Sequence, residues 1–356
     1  MIKGIIVGAG RAGSFLHFGA LQAAGASVLG FVDSNIELLD ATTRKYNLPH
    51  KFTSIEEAFA KIKDLDFVDI CSNTKSHFPI AKYAVERNCH VLVEKPITET
   101  LEELIELKKI SKASNKTICS VHNHKFYPGI QELRAQLKRG ELGEVIFIHR
   151  EMSFVQEKVR MMEPEHWAHK IPGGRLFEAN PHNLYLLYGI EKDLKLIDLF
   201  PQKTSLRWPH VVSDGFLANL QTNKCQATIH MSLNCHESSY GKHGPNYLIV
   251  TGTKKTVLVD YQKVVNLGEL QKKKIAKPNL ISRFKGISRR KIKRDTTGEP
   301  INEGYNSGHY WMIKEFIEYI SGKSTEEPVP FDESFYVQSM NLEMGFRLEN
   351  KLKGNT

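Results

Sequence analysis

Residues 2–7 form a short apolar run that leads directly into Gly8-Ala9-Gly10-Arg11-Ala12-Gly13. Few folds accept that succession. The glycines fit G-x-G-x-x-G between a predicted strand and a predicted helix, and Asp33 follows 20 positions after Gly13. Strand, glycine turn, helix and later acid together are the context of a dinucleotide site. Gly8 allows the tight turn, Gly10 lets the backbone approach a pyrophosphate, and Gly13 lets helix and strand pack closely. The pyrophosphate would rest on the amides at the helix N-terminus. Asp33 ends the second strand, where its carboxylate can accept hydrogen bonds from ribose hydroxyls and would repel a 2′-phosphate. The expected cofactor is therefore NAD rather than NADP. The blander alternative is a tight turn with an Asp that caps a helix.

The grammar behind the turn is regular. Strands are predicted over 2–7, 28–32, 67–71, 90–94 and 117–122. Helical patterns lie between them, from the glycine turn to about residue 24, after the second strand to just before Asn47-Leu48-Pro49, then over 55–62, 80–87 and 101–111. Alternation of this kind means a parallel sheet with helices on both faces. After about residue 124 the pattern changes. A helix over 129–139 precedes long alternating runs at 145–154, 216–221, 226–233, 247–250 and 257–261, which read as antiparallel strands of a sheet with one covered face. Helical patterns return at 309–320 and 334–349. The expected fold is α/β. An N-terminal Rossmann doubly wound parallel sheet (residues 1–123) is followed by an α+β domain with an open, mainly antiparallel sheet (124–356). The last helix is expected to pack back on the first domain.

Size agrees with two units: 356 residues exceed the roughly 250–300 that one core usually serves. Hydrophobic residues at 41% and charged residues at 25% are ordinary for a globular protein. No run approaches the ~18 apolar residues that span a bilayer. The N-terminus lacks a basic leader, so a cytoplasmic location is expected. The five cysteines, at 71, 89, 119, 225 and 235, have no metal-type spacing and read as buried thiols. The net charge of +9 is local. The stretch 272–294 carries 11 basic residues and no acid, and without it the balance is −2. Such a stretch can meet an anionic surface, the phosphates of a ligand or a neighbouring subunit, or it can be a solvated loop. No nucleic-acid motif accompanies it, and no nucleic-acid partner is expected.

The motifs at the end of the 90–94 strand are more specific. Glu94-Lys95-Pro96 lies there, and with the GAGRAG turn this resembles the Gfo/Idh/MocA family of oxidoreductases. Ser72-Asn73-Thr74-Lys75-Ser76-His77 resembles the family's T-P-N-x-x-H turn, with Asn73 for Pro. Asn123-His124-Lys125-Phe126 resembles its N-x-R-F segment, with Lys125 for Arg. The GELGEV run at 140–145, the Gly173-Gly174…His182 block and Thr251-Gly252-Thr253 also match. The resemblance spans roughly residues 1–260 and the closing helix. It implies a sheet platform that binds substrate and joins subunits, with a homodimer or homotetramer expected. It also implies that NAD lies against Gly8, Gly10, Arg11, Ala12, Asp33, Ser72, Asn73, His77, Glu94, Lys95 and Asn123. The substrate would lie against Lys95, Lys125, His166, Trp167, His182 and Tyr185.

Alcohol oxidation needs a hydride acceptor and a base. Lys95 follows the carboxyl end of a sheet strand, where α/β ligands bind. A lysine there, beside a cationic ring, is suited to proton transfer; a surface lysine next to a turn proline is the alternative. His182 is the second candidate. Pro181 before it suggests that Asn180 caps a helix and Pro181 is its first residue. The helix dipole would then keep the His182 imidazole neutral and able to accept a proton. The family's carboxylate four residues before this His is Glu178 here, expected in the preceding turn, and the family's following acid is replaced by Tyr185. His166, Trp167 and His169 suit a sugar face through stacking and hydrogen bonds, or form a packed loop. No metal is expected. The leading reading is an NAD-dependent oxidoreductase acting on a secondary alcohol or ketone of a sugar, polyol or nucleotide-sugar. The alternatives are a glycoside-cleaving enzyme that uses bound NAD for transient oxidation, and a non-catalytic NAD- or sugar-sensing protein on the same scaffold.

Overall fold

The computed structural model describes residues 1–154, 162–204, 208–235, 244–268 and 307–354. The basic stretch 272–294 lies outside the described residues.

Six strands form the first sheet: β1 (Lys3–Val7), β2 (Ser27–Val32), β3 (His50–Phe52), β4 (Phe67–Ile70), β5 (His90–Val93) and β6 (Ile118–Ser120). All pair in parallel, in the order β3-β2-β1-β4-β5-β6. This is the doubly wound Rossmann arrangement, with its switch point between β1 and β4. Successive strand residues point to opposite faces, and here both faces are buried. Ile6, Phe31, Phe67 and Leu92 enter one cluster. Ile5, Val7, Val68 and Val91 enter the other. The connecting helices are α1 (Phe18–Ala23), α2 (Ile36–Lys45), α3 (Ile55–Lys61), α4 (Thr74–Val85) and α5 (Leu101–Ala113). Local chemistry starts three of them: the side chains of Asn35, Ser54 and Thr100 accept from the backbone N–H groups of Leu38, Glu57 and Glu103.

Two details depart from the reading of the sequence. A continuous helix was expected after the glycine turn. Instead Ala12–His17 forms a π-helical turn ahead of α1. Strand β3 was not expected, and its three residues are too few for a period to register.

The second sheet has seven strands: β7 (Val145–Ser153), β8 (Lys195–Gln202), β9 (Gly215–Gln221), β10 (Gln226–Ser232), β11 (Asn246–Gly252), β12 (Thr256–Val259) and β13 (Val264–Asn266). Their order is β13-β12-β11-β7-β10-β9-β8. All neighbours are antiparallel except β7 and β10. Strand β8, missed in the sequence, is an edge strand that contains Pro201, and an edge is where a sheet tolerates proline. Side chains alternate across this sheet. Leu199, Ala218, Ile229 and Leu248 face the core. Cross-strand partners Phe200 and Leu217 remain exposed.

Helices α6 (Pro128–Lys138), α7 (Arg175–Tyr188), α8 (Ser307–Ile320) and α9 (Phe331–Leu352) complete the fold. The last two return to the first sheet. The Phe316 ring meets Phe67 edge-on with centroids 6.0 Å apart. Gln338 donates through Nε2 to the Thr98 carbonyl at 2.6 Å. Among the described residues no helix is long and apolar enough to cross a membrane. Cys71, Cys89, Cys119 and Cys225 are free and buried.

Helix α7 is almost wholly buried and contains Pro181 in its interior. A proline there removes the N–H that would bond the carbonyl four residues earlier, on Phe177. Asn341 of α9 supplies the replacement, donating through Nδ2 to the Phe177 carbonyl at 3.1 Å. Its Oδ1 accepts from Asn180 Nδ2 at 3.0 Å. Asn341→Leu should therefore orphan two buried groups in α7. We expect a loss of about 1–3 kcal/mol for each, read as a lower urea midpoint with an unchanged slope.

Candidate active site

Three strand ends meet at the switch point. Gly8 follows β1 with φ +103°, and a Cβ there would stand 2.7 Å from the Cys71 carbonyl carbon of the next strand's turn. A Cβ on Gly13 would stand 2.1 Å from the Gly8 carbonyl oxygen. Gly10 faces open space, with nothing within 4 Å of its would-be Cβ, so the turn leaves the cradle that a pyrophosphate needs. Ala12 is half-buried and Arg11 exposed at its rim. Asp33 follows β2 and reaches under the turn. Its Oδ2 accepts from Ala9 N and its Oδ1 from Asn35 N, both at 2.8 Å. A carboxylate oxygen has a further lone pair to offer, so the fixed Asp33 can still receive ribose hydroxyls. These residues fit a dinucleotide.

Ser72 and Asn73 lie after β4, and Asn73 precedes α4. The Ser72 and Ser76 hydroxyls are 2.6 Å apart. His77 is buried between two turns, with Nδ1 2.9 Å from the Pro96 carbonyl and Nε2 3.1 Å from the Ser72 carbonyl. It braces the turns and has no ring nitrogen left over. Asn123 is buried, with Nδ2 3.2 Å from His309 Nδ1 of α8.

Beneath this crevice runs a buried chain of charges that the sequence did not reveal. His17 ends the π-helical turn and is fully buried. Its Nδ1 lies 2.9 Å from Asp69 Oδ2, and its Nε2 lies 3.0 Å from Glu94 Oε1. Burial opposes charge on the imidazole, but Asp69, with Cys71 beside it, outweighs that and raises His17 well above its ordinary value. Burial likewise opposes charge on Glu94, yet His17 pulls the carboxyl down to about 2. Asp69 lies in the apolar strand FVDI. An acid in such a strand was the one available signal, since a buried charge requires a partner.

Lys95 follows Glu94 and crosses to α7. Its ammonium pairs with Glu178 Oε1 and also donates to the Glu178 carbonyl at 3.2 Å. Side-chain exposure is 12% for Lys95 and 10% for Glu178. Arg175 Nη1 holds the other Glu178 oxygen at 2.7 Å. Burial would raise the Glu178 carboxyl, but the charges of Lys95 and Arg175 prevail and hold it below the usual range.

The expected helix start at Pro181 is corrected. α7 begins at Arg175, so Glu178 lies inside its first turn and His182 lies mid-helix, away from the N-terminal dipole. Burial, reinforced by the neighbouring histidines and the Lys95 charge, holds the His182 imidazole well below its ordinary value. The ring is neutral for that reason. His182 stacks on His124 at a centroid distance of 3.8 Å and 12°.

The other expected substrate groups make contacts within the protein. Lys125 Nζ donates to the Pro328 carbonyl at 2.5 Å. The Tyr185 hydroxyl donates to Glu333 at 2.8 Å, and its ring stacks on His122 at 4.1 Å. These polar ends turn toward the α8–α9 side. His166 and Trp167 are half-buried on the loop that leads into α7, with His166 Nδ1 accepting from Ala168 N at 3.3 Å.

Sheet order, crevice and cross-domain ion pair together define a dinucleotide-dependent class of protein. Residues 2–122 match the model described as "Oxidoreductase family, NAD-binding Rossmann fold", and 134–341 match "Oxidoreductase family, C-terminal alpha/beta domain". The chain belongs to the Gfo/Idh/MocA oxidoreductase family, and its first domain is that family's NAD-binding Rossmann fold. It is 27% identical over 216 residues to the uncharacterized oxidoreductase YdgJ of Escherichia coli, a match covering 58% of this chain and 60% of that protein. It is 27% identical over 141 residues to the D-glucoside 3-dehydrogenase of the same organism, covering 39% and 40%. The chain thus spans less than two thirds of either relative. The solved WlbA dehydrogenase of Bordetella pertussis, in complex with NADH and UDP-GlcNAcA, shares the fold with a TM-score of 0.76 at 16% identity, covering 98% of this chain and 96% of that one.

The buried charges carry a pH signature. His17, raised when folded, contributes fully below its unfolded value near 6.5 and loses that contribution as pH rises through its folded value. Glu94 contributes above 4.5 and loses that contribution as pH falls through about 2. His17→Gln should cost about 3–5 kcal/mol, because Asp69 is left buried and unpaired. Denaturant titrations should show the gap to the unaltered protein widest near pH 5–6 and narrowing in the alkaline range.

Proposed function

We propose that this chain is an NAD-dependent oxidoreductase that moves a hydride between the cofactor and a secondary alcohol or ketone of a sugar, polyol or nucleotide-sugar. One observation carries the reading: Lys95, just past the carboxyl end of β5, lies close enough to His182 on α7 for its charge to help burial keep that imidazole unprotonated. Bound NAD would supply the hydride acceptor. Lys95, anchored by Glu178, would hydrogen-bond the substrate oxygen and orient it. His182 would take the hydroxyl proton. A neutral imidazole is the form able to do so, and its burial keeps it in that form. The return reaction uses the same groups, with His182 delivering the proton. Support for the substrate class comes from names: one relative is a D-glucoside 3-dehydrogenase, and a protein of the same fold was solved with UDP-GlcNAcA.

Lys95→Ala and His182→Ala should each lower kcat by about 10²–10⁴-fold, the usual worth of an acid–base group, with little change in NAD affinity. Steady-state assays that follow NADH at 340 nm on a sugar panel would test this. Near-normal turnover by either variant would remove that residue from the chemistry, and product cleavage without net NADH would point to transient oxidation.

Cofactor choice would rest on Asp33, whose carboxylate would repel a 2′-phosphate. Calorimetric titration should give tighter binding of NAD than of NADP, and Asp33→Ala should narrow the difference. A preference for NADP in the unaltered protein would sink this assignment.

A further inference from the structure

We propose that His124 is a positioning residue for His182: its ring is the fixed plane on which the His182 imidazole rests. The inference rests on the role proposed above for His182. An imidazole that acts as a base is usually oriented by a hydrogen bond at its second nitrogen. His182 has no such bond, since its Nδ1 is buried without a partner. What it has is a near-parallel stack on His124, with centroids 3.8 Å apart and planes 12° apart.

His124 is itself held on three sides. It belongs to the short 3₁₀ turn Asn123–Phe126. The Tyr261 ring meets its edge at 5.0 Å, and the Tyr127 ring lies 5.2 Å away. The Tyr261 hydroxyl stands 3.3 Å from His124 Nδ1. Asn246 Nδ2 donates to that hydroxyl at 2.8 Å. These contacts fix the plane of the His124 ring from the side of the second sheet.

Other charged and titratable groups bear on the pair. Lys95 comes from the β5 turn, His122 from the end of β6, His309 from α8 and Arg150 from β7. Burial, with these groups, keeps His124 uncharged. The stack would therefore orient the base.

The test compares three variants in the NAD-loaded enzyme. His124→Phe keeps a flat ring and loses the nitrogen. His124→Ala removes the plane and admits water. His124→Leu fills the space without an aromatic face, and it replaces the Ala variant if that one does not fold. The His182 ring is followed by NMR with ¹³C-labelled histidine, assigned by difference from His182→Ala, and kcat/KM is measured against pH. The Ala and Leu variants should lower kcat about 10–100-fold, within the usual worth of acid–base positioning. The Ala variant should also raise the His182 titration midpoint by about one unit as desolvation is relieved. The Phe variant should retain most of the rate and the original midpoint. An unchanged midpoint and rate in the Ala variant, or a folded Phe variant as impaired as Ala, would overturn the proposal. Failure of the base assignment is seen separately, as normal turnover by His182→Ala.

Discussion

The Lys95 ammonium leaves the carboxyl end of β5 in the first sheet, reaches across to the second domain and finds its counter-charge on Glu178, in the first turn of α7. Both groups are nearly out of water, so the pair is tenable only with good geometry and further hydrogen bonds. Arg175 and the Glu178 carbonyl supply these. The consequence spreads along α7. To present Glu178 at the cleft, the helix is buried along almost its whole length, and its polar side chains need partners inside the protein. They form one connected set: Arg150 donates to Asn183, Asn183 to Asn180, and Asn180 to Asn341. The second sheet and the last helix are thereby tied to the residue that neutralises Lys95.

The same burial sorts the remaining ionisable groups. Carboxylates beside cations stay charged. Other buried imidazoles are pushed down: burial takes His122 to about 3, takes His309 to about 4 although Glu94 lies 3.9 Å away, and holds His124 and His182 well below their ordinary value. His17 shows the opposite case, because two carboxylates flank it. In a low dielectric, such differences in partner are magnified. One residue type thus performs two tasks within a few ångströms, as a fixed cation under the crevice and as an uncharged ring beside it.

What was legible in the sequence was local. The glycine turn, Asp33 and the Glu94-Lys95-Pro96 corner each follow directly on a strand, and strand ends at a switch point converge in space. The motif therefore located the crevice before any coordinates did. The chain His17–Asp69–Glu94 was illegible because its members are far apart in sequence and meet only when three neighbouring elements are stacked. His17 was further obscured by the π-helical turn, which gives its position no α-helical period. Pro181 misled for an instructive reason. The local rule places proline in a first turn, but here a tertiary partner, Asn341, takes over the carbonyl that the proline leaves unpaired. Lys125 and Tyr185 stand at motif positions where the family has an arginine and an acid, and their polar ends are engaged by Pro328 and Glu333, contacts that no spacing encodes.

The return of α8 and α9 to the first sheet has a consequence for how the molecule is made. One face of that sheet, with Ile6, Phe31, Phe67 and Leu92, shares its core with Met312 and Phe316. On the ribosome the strands emerge long before those helices. The first sheet therefore waits with an apolar face open while the whole second sheet is synthesised, and exposed surface of that kind is what chaperones bind. The part translated first is closed last.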